Sequence, residues 1–341
     1  MKALNSRSMA LACAVSAAAT FAVTASARQA GPGSAESHIE AARRAAGPEY
    51  LPVFNDLCGS LTPRPSARGA AAAAARGAAP SAGPPPSSQW HVDPARVFDN
   101  LYYLGQTEYT AWAVTTSAGI IVIDPLFEYS VEDEVVNGLT KLGLDPGQIK
   151  YVLVSHGHRD HVGGAKLLQD RFGARVVMSA ADWDLILNSK QSYPTPTRDM
   201  VATDGQKMTL GDTSLTLYLT PGHTPGTIST LIPVKDQGRP HLAAQWGGTG
   251  FNFTITPEHQ RPYWFETYAQ SANHFSDAVA KSGADVQIAN HPSQDGAAAK
   301  LAALAKRKPG DPHPFVVGNA TIQRYLTMVR ECAQAGLASS R

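Results

Sequence analysis

From residue 89 onward, short runs rich in β-branched and aromatic residues alternate with stretches whose apolar positions recur at helical spacing. Residues 101–104, 110–115 and 120–124 read as strands separated by turn signals. The pattern then predicts a helix over 131–142, a short buried strand over 151–154 and a helix over 162–172. A strand over 175–178 and a helix over 180–188 follow. Residues 206–210 and 214–219 form a strand pair across Gly211-Asp212. Further strands are predicted over 227–234, 241–245 and 286–289, with helices over 263–282, 297–307 and 319–336. Strands interleaved with helices give an α/β protein whose sheets are covered by helices.

Upstream of residue 89 the pattern changes. Ile39, Ala42 and Ala45 recur at helical spacing among Glu40, Arg43 and Arg44, which predicts a helix ended by Gly47-Pro48. A short extended piece follows it, up to residue 57. This segment is too small to hold a core and must pack on the main body. Residues 62–88 are built almost only from Ala, Gly, Pro, Ser and Arg. Such a run offers too little apolar surface to offset the entropy of ordering it, so it reads as a flexible linker. The expected organisation is a signal peptide over 1–27, an N-terminal helical segment over 28–61, the linker over 62–88 and a catalytic domain over 89–341.

The signal assignment rests on Lys2 and Arg7, the small apolar run 9–23 and the cleavage-like Ala25-Ser26-Ala27. That run falls short of the roughly 20 residues a membrane span needs. Export to the periplasm or beyond is therefore expected, with no membrane span. Two cysteines then remain, Cys58 and Cys332. In an exported protein they read as one disulfide, with two separate buried thiols as the alternative. The 341 residues are 43% hydrophobic, enough for a sizeable core. A net charge of +1, from 29 basic and 28 acidic residues, offers no basic surface for nucleic acid. Charge names no partner, and a small-molecule substrate is expected.

The chemistry concentrates in Ser155-His156-Gly157-His158-Arg159-Asp160-His161-Val162-Gly163-Gly164. Four metal-competent side chains fall within six residues, after an apolar strand and before a helix. Neutral imidazoles and carboxylates are natural zinc ligands. In an extended turn His156 and His158 point the same way, because side chains alternate with period two. Asp160 and His161 lie one step on and reach toward a second metal. His223, in Thr220-Pro221-Gly222-His223-Thr224-Pro225-Gly226, and His291, in Asn290-His291-Pro292, sit in loops at strand ends. Rigid strands holding loop residues are where sites are built. A site rich in His and Asp, with open positions, is catalytic in type rather than a closed structural zinc site.

At these residues the chain resembles the metallo-β-lactamase superfamily, from about residue 89 to the C-terminus. The resemblance implies a four-layer αββα sandwich with the site at one edge between the two sheets. It assigns His156, His158 and His223 to a first zinc and Asp160, His161 and His291 to a second, two zinc ions per chain. Asp124 resembles the superfamily aspartate that supports the site from behind the ligands. The strand before Trp246-Gly247-Gly248-Thr249 lacks the bridging aspartate of many relatives. That absence is similar to the third subclass of metallo-β-lactamases. The same subclass often places hydroxyl residues near here for the substrate carboxylate, and only Thr249 has a hydroxyl.

The implied activity is opening of a β-lactam amide by a metal-bound hydroxide, with Asp160 orienting the nucleophile. No Gly-x-Ser-x-Gly or Ser-x-x-Lys pattern supports a serine nucleophile. Hydrolysis of another ester, lactone or amide on the same scaffold is the second reading, because fold does not fix function. A non-catalytic, zinc-binding periplasmic protein is a third. Tyr109, Trp112, Trp246, Phe251, Phe253 and Trp264 flank the motifs as substrate walls or, more often for aromatics, as core.

Overall fold

Two sheets lie face to face in a computed structural model that describes residue 31 and residues 33–61 and 83–340. The expected signal peptide and residues 62–82 of the expected linker lie outside the described residues. The first sheet holds seven strands in sequential order. They are β1 (Ala95–Arg96), β2 (Leu101–Tyr103), β3 (Trp112–Thr116), β4 (Gly119–Ile123), β5 (Ile149–Leu153), β6 (Arg175–Ser179) and β7 (Met200–Ala202). β1 to β4 pair antiparallel, and β4 to β7 pair parallel. The second sheet runs β12-β11-β10-β9-β8. Its strands are β8 (Lys207–Leu210), β9 (Thr213–Leu219), β10 (Ile228–Asp236), β11 (Arg239–Gln245) and β12 (Val286–Ile288). Only the β11–β12 pair is parallel there.

Period-two alternation sorts the strand residues into layers. Ile121 and Ile123 of β4 point between the sheets and meet Leu217, Ile232 and Ile288. Ile120 and Val122 point outward, into a second core with Val135, Leu139 and Leu168. That outer core lies under α3 (Asn137–Lys141, entered through a π-helical turn, Glu132–Val136), α4 (Arg159–Val162), α5 (Ala165–Phe172) and α6 (Ala180–Leu187). On the far face of the second sheet, Leu231 and Ala244 meet Phe265, Phe275 and Val329. The helices α7 (Arg261–Ser282) and α10 (Asn319–Ser339) supply that layer, with the short α8 (Pro292–Asp295) and α9 (Ala297–Leu304) between them in the chain. Four layers result, helix, sheet, sheet and helix, as the family resemblance implies. Among the described residues, no helix is long and apolar enough to cross a membrane.

The N-terminal segment joins the second helical layer. α1 (Ala35–Ala46) runs along α10, and Ala42 and Ala46 enter its core. The extended piece expected after Gly47-Pro48 is instead a second helix, α2 (Leu51–Leu57). Pro52 sits in its first turn, where a missing N–H costs nothing and the fixed φ suits a helix start. β1, β7 and α8 were not foreseen, because two to four residues are too few to show a period.

Cys58, just after α2, is bonded to Cys332 on α10 across 274 residues of sequence. Cross-linking so distant a pair restricts the unfolded chain strongly. The double variant Cys58→Ser/Cys332→Ser is expected to lose about 2–4 kcal/mol in urea unfolding. A midpoint unchanged from wild type would show that the bridge adds nothing.

Candidate metal centre

Every ligand expected from the sequence comes to one edge of the sandwich. His156, His158, Asp160 and His161 leave the C-terminal end of β5, His223 follows β9, and His291 follows β12. Parallel strands end together, and here several such ends share one rim. The donor atoms group as His156, His158 and His223, and as Asp160, His161 and His291, each set within 4.8 Å. His156 Nε2 and His223 Nε2 are 3.1 Å apart, and His161 Nε2 and His291 Nε2 are 3.3 Å apart.

These short separations decide what the groups are for. His156 Nδ1 donates to the Gly247 carbonyl at 2.9 Å and His223 Nδ1 to the Gly250 carbonyl at 2.6 Å. A carbonyl only accepts, so both rings carry their proton on Nδ1 and aim bare lone pairs at each other. His291 Nδ1 likewise donates to the Glu108 carbonyl at 2.9 Å. Facing lone pairs repel unless a cation lies between them. Tetrahedral zinc with bonds of about 2.0–2.1 Å puts its nitrogen ligands roughly 3.3 Å apart, which these pairs match. The donor set therefore fits zinc, with backbone carbonyls fixing ring tautomer and orientation.

Electrostatics agree. Burial holds His156 and His158 below the usual imidazole range and drops His223 to about 3 and His291 to about 4. These rings stay neutral and ready to ligate at neutral pH. Burial alone would also depress His161, but the facing carboxylates of Asp160 and Asp124 outweigh it and raise it to about 10. Burial would raise Asp160, yet His161, 3.0 Å away, outweighs it and holds that carboxyl well below the usual range. The second group thus pairs an ionised Asp160 carboxylate with a positively charged His161 ring, which must give up its proton to ligate a metal.

Asp124 lies where the resemblance put it, behind the ligands. It is fully buried and takes a left-handed backbone, φ 56°, at the end of β4. Its carboxylate accepts from Ser155 N at 2.7 Å and Ser155 Oγ at 2.8 Å, and lies 3.2 Å from His161 Nδ1. The last contact is an ion-pair distance without hydrogen-bond alignment. Gly247 and Gly248 have a packing reason. A Cβ at Gly247 would overlap the Ile228 carbonyl, and one at Gly248 would overlap the His223 ring. No side chain fits at either place, so neither can carry a bridging carboxylate. Thr249 is buried and its hydroxyl bonds the Tyr325 hydroxyl at 2.7 Å.

Of the aromatics, Trp112 and Trp246 are core, while Tyr109 lies beside His291 with ring centroids 5.3 Å apart. Two positioning residues were missed. Asn290 Nδ2 donates to the Gly247 carbonyl at 2.7 Å, bracing the same oxygen that orients His156. Asp182, 1% exposed, binds three donors: Gly157 N at 2.7 Å, Thr224 Oγ1 at 2.7 Å and Gly226 N at 2.8 Å. It staples the loop carrying His156 and His158 to the loop carrying His223. Burial pushes its carboxyl up to about 6 against those donors, so it is ionised at neutral pH. In the sequence, Ser179-x-x-Asp182 reads as an ordinary helix cap, and Ser179 does cap α6, which hid this role.

A model of the metallo-beta-lactamase superfamily matches residues 104–236. Among solved structures, the native FEZ-1 metallo-beta-lactamase from Legionella gormanii is 28% identical with a TM-score of 0.61, over 69% of this chain and 91% of that one. BJP-1, a subclass B3 metallo-beta-lactamase of Bradyrhizobium japonicum, is 28% identical with a TM-score of 0.56, over 69% and 90%. Among curated proteins, a hydroxyacylglutathione hydrolase from Acidiphilium cryptum is 30% identical over 122 residues, 36% of this chain. The matched part spans 44% of that relative's length.

Proposed function

Residues 104–236 belong to the metallo-beta-lactamase superfamily, and from that premise we propose that the chain is a di-zinc hydrolase that opens the amide of a β-lactam ring. The observation that carries this reading is the pair of three-donor groups meeting at one rim of the sandwich. Zinc held there supplies a Lewis acid and lowers the pKa of water toward 7. The chain's own residues do the rest. Carbonyls of Gly247, Gly250 and Glu108 lock three imidazoles with Nε2 turned to the site. Asp160, with 22% of its side chain exposed, faces the cleft as an ionised acceptor that orients the attacking water. The reaction is direct attack of water on the ring carbonyl, and no residue forms a covalent acyl bond.

The place of action is the periplasm or the exterior. The N-terminal targeting pattern supports this, and so does the Cys58–Cys332 bridge, since disulfides persist in oxidising compartments. Resistance of the cell to β-lactam antibiotics would be the biological effect.

The test is hydrolysis of nitrocefin and a carbapenem by zinc-loaded protein. Turnover is expected, lost on chelation and restored by zinc, with a metal content near two per chain. Bound zinc without turnover of either compound would sink the β-lactam reading. A second reading, hydrolysis of another ester, lactone or amide, is favoured by two observations. The Thr249 hydroxyl is committed to Tyr325, and a curated relative is a hydroxyacylglutathione hydrolase.

A further inference from the structure

The Glu108 carbonyl turns the His291 ring, but where that ring stands depends on the backbone that carries it. That backbone has little support of its own. β12, before the ligand, is an edge strand of the second sheet. An edge strand has backbone groups that no neighbouring strand satisfies. α8, directly after the ligand, is a single turn of 4 residues. A helix so short is not stable alone. Asp182 staples the loops of the first metal group to each other, and it does not reach this segment.

Lys300 on α9 reaches it from both sides. Gly296, with φ 74°, turns the chain between α8 and α9 in a left-handed conformation, and Lys300 returns to β12. Its Nζ donates to the Gln287 carbonyl at 3.2 Å and lies 3.7 Å from Asp295 Oδ2. Gln287 precedes His291 by four residues and Asp295 follows it by four. One ammonium thus ties the segment before and after the ligand. The site is dry: the Asp295 side chain is fully buried and that of Lys300 is 14% exposed. Burial raises the Asp295 carboxyl and lowers the Lys300 ammonium, and each partly offsets the shift of the other. Lys300 is the one cation paired with Asp295 among the described residues. The Phe315 ring, with its centroid 5.0 Å from Nζ, backs the ammonium.

We propose that Lys300 is a positioning residue for the second metal group, clamping Gln287 and Asp295 on either side of His291 so that this ligand stands where Asp160 and His161 can share a metal with it. The proposal rests on the di-zinc reading above and does not depend on the substrate. Ligands must be held to within about 0.5 Å of the productive geometry, so a loosened segment weakens the second zinc and spares the first.

The experiment is a zinc titration of the full-length protein against a chromophoric chelator, repeated with cobalt(II) to read the absorption of each site. Wild type is expected to bind two ions, and His291→Ala identifies the step and the cobalt bands that belong to the second group. Lys300→Met leaves Asp295 as an unpaired buried charge. The double variant Asp295→Asn/Lys300→Met removes both charges and carries the test if the single variant does not fold. It is expected to weaken the His291-dependent step by about 10–100-fold, to alter only its cobalt bands, and to leave the other step within about twofold. Asp295→Asn alone keeps the bond to Gln287 and is expected to show a smaller loss. Wild-type affinity at both steps in the double variant overturns the proposal. Equal weakening of both steps, or failure of the double variant to fold, also overturns it, by giving Lys300 a role in the whole fold instead. A wild type without a His291-dependent step removes the second metal group and the proposal with it. Two-step binding without nitrocefin turnover overturns the β-lactam reading alone.

Discussion

His223→Ala is expected to lower hydrolytic turnover by more than about a hundredfold and to cut the zinc content from about two per chain toward one. Residues that merely orient metal ligands are worth roughly 10–100-fold, and His223 is placed to be a ligand itself. Its Nδ1 is held by the Gly250 carbonyl, and its Nε2 lies 3.1 Å from that of His156. Alanine removes one of the three donors of the first group and leaves the second group intact. The check is kcat with the best substrate found, alongside metal analysis of dialysed protein. Full activity with two zinc ions would remove His223 from the site. The variant should still fold, because the three apolar clusters do not include this ring.

Asp182→Ala is expected to damage both stability and activity although Asp182 contacts no ligand side chain. Two backbone N–H groups and the Thr224 hydroxyl would lose their shared acceptor in a buried place. The Thr224 hydroxyl can still bond Thr227 Oγ1, but the two N–H groups cannot, and at about 1–3 kcal/mol for each unsatisfied buried donor a loss of about 2–6 kcal/mol is expected in urea unfolding. Asp182→Asn keeps the shape but turns an amide N–H₂ toward a donor, so it restores only part of the loss. The loops holding His156, His158 and His223 would then be free to separate, and turnover should fall by about 10–100-fold. Stability near wild type in both variants would show that the two loops need no staple. Loss of stability with unchanged kcat would confine Asp182 to folding.

The six ligands were legible because metal chemistry accepts few residue types and because four of them share one short turn. His223 and His291 stood out through their Gly- and Pro-rich loops at strand ends. The strands were legible through alternation, and the same alternation later separated Ile121 and Ile123 from Ile120 and Val122 into different cores. α2 was read as an extended piece because its 7 residues, following the helix stop at Gly47-Pro48, are too few to show a helical period. The role of Asp182 was hidden because its partners are backbone groups, which every residue carries.

Residue type and spacing pointed to the α/β class and the six candidate ligands, while their division into His156, His158, His223 and Asp160, His161, His291 came from the family resemblance. The class and the candidates are local properties, written in which atoms can bind a cation and how many residues separate them. The tertiary structure decided the rest. It set which nitrogen of each ring faces the metal, because that depends on carbonyls 27 to 183 residues away in the chain. It emptied positions 247 and 248 of side chains by closing Ile228 and His223 over them. It brought α2 onto the second helical layer, since a disulfide and a buried helical face act between segments nearly the whole chain apart. Contacts between distant segments leave no period and no motif in the sequence, so only the packed chain shows them.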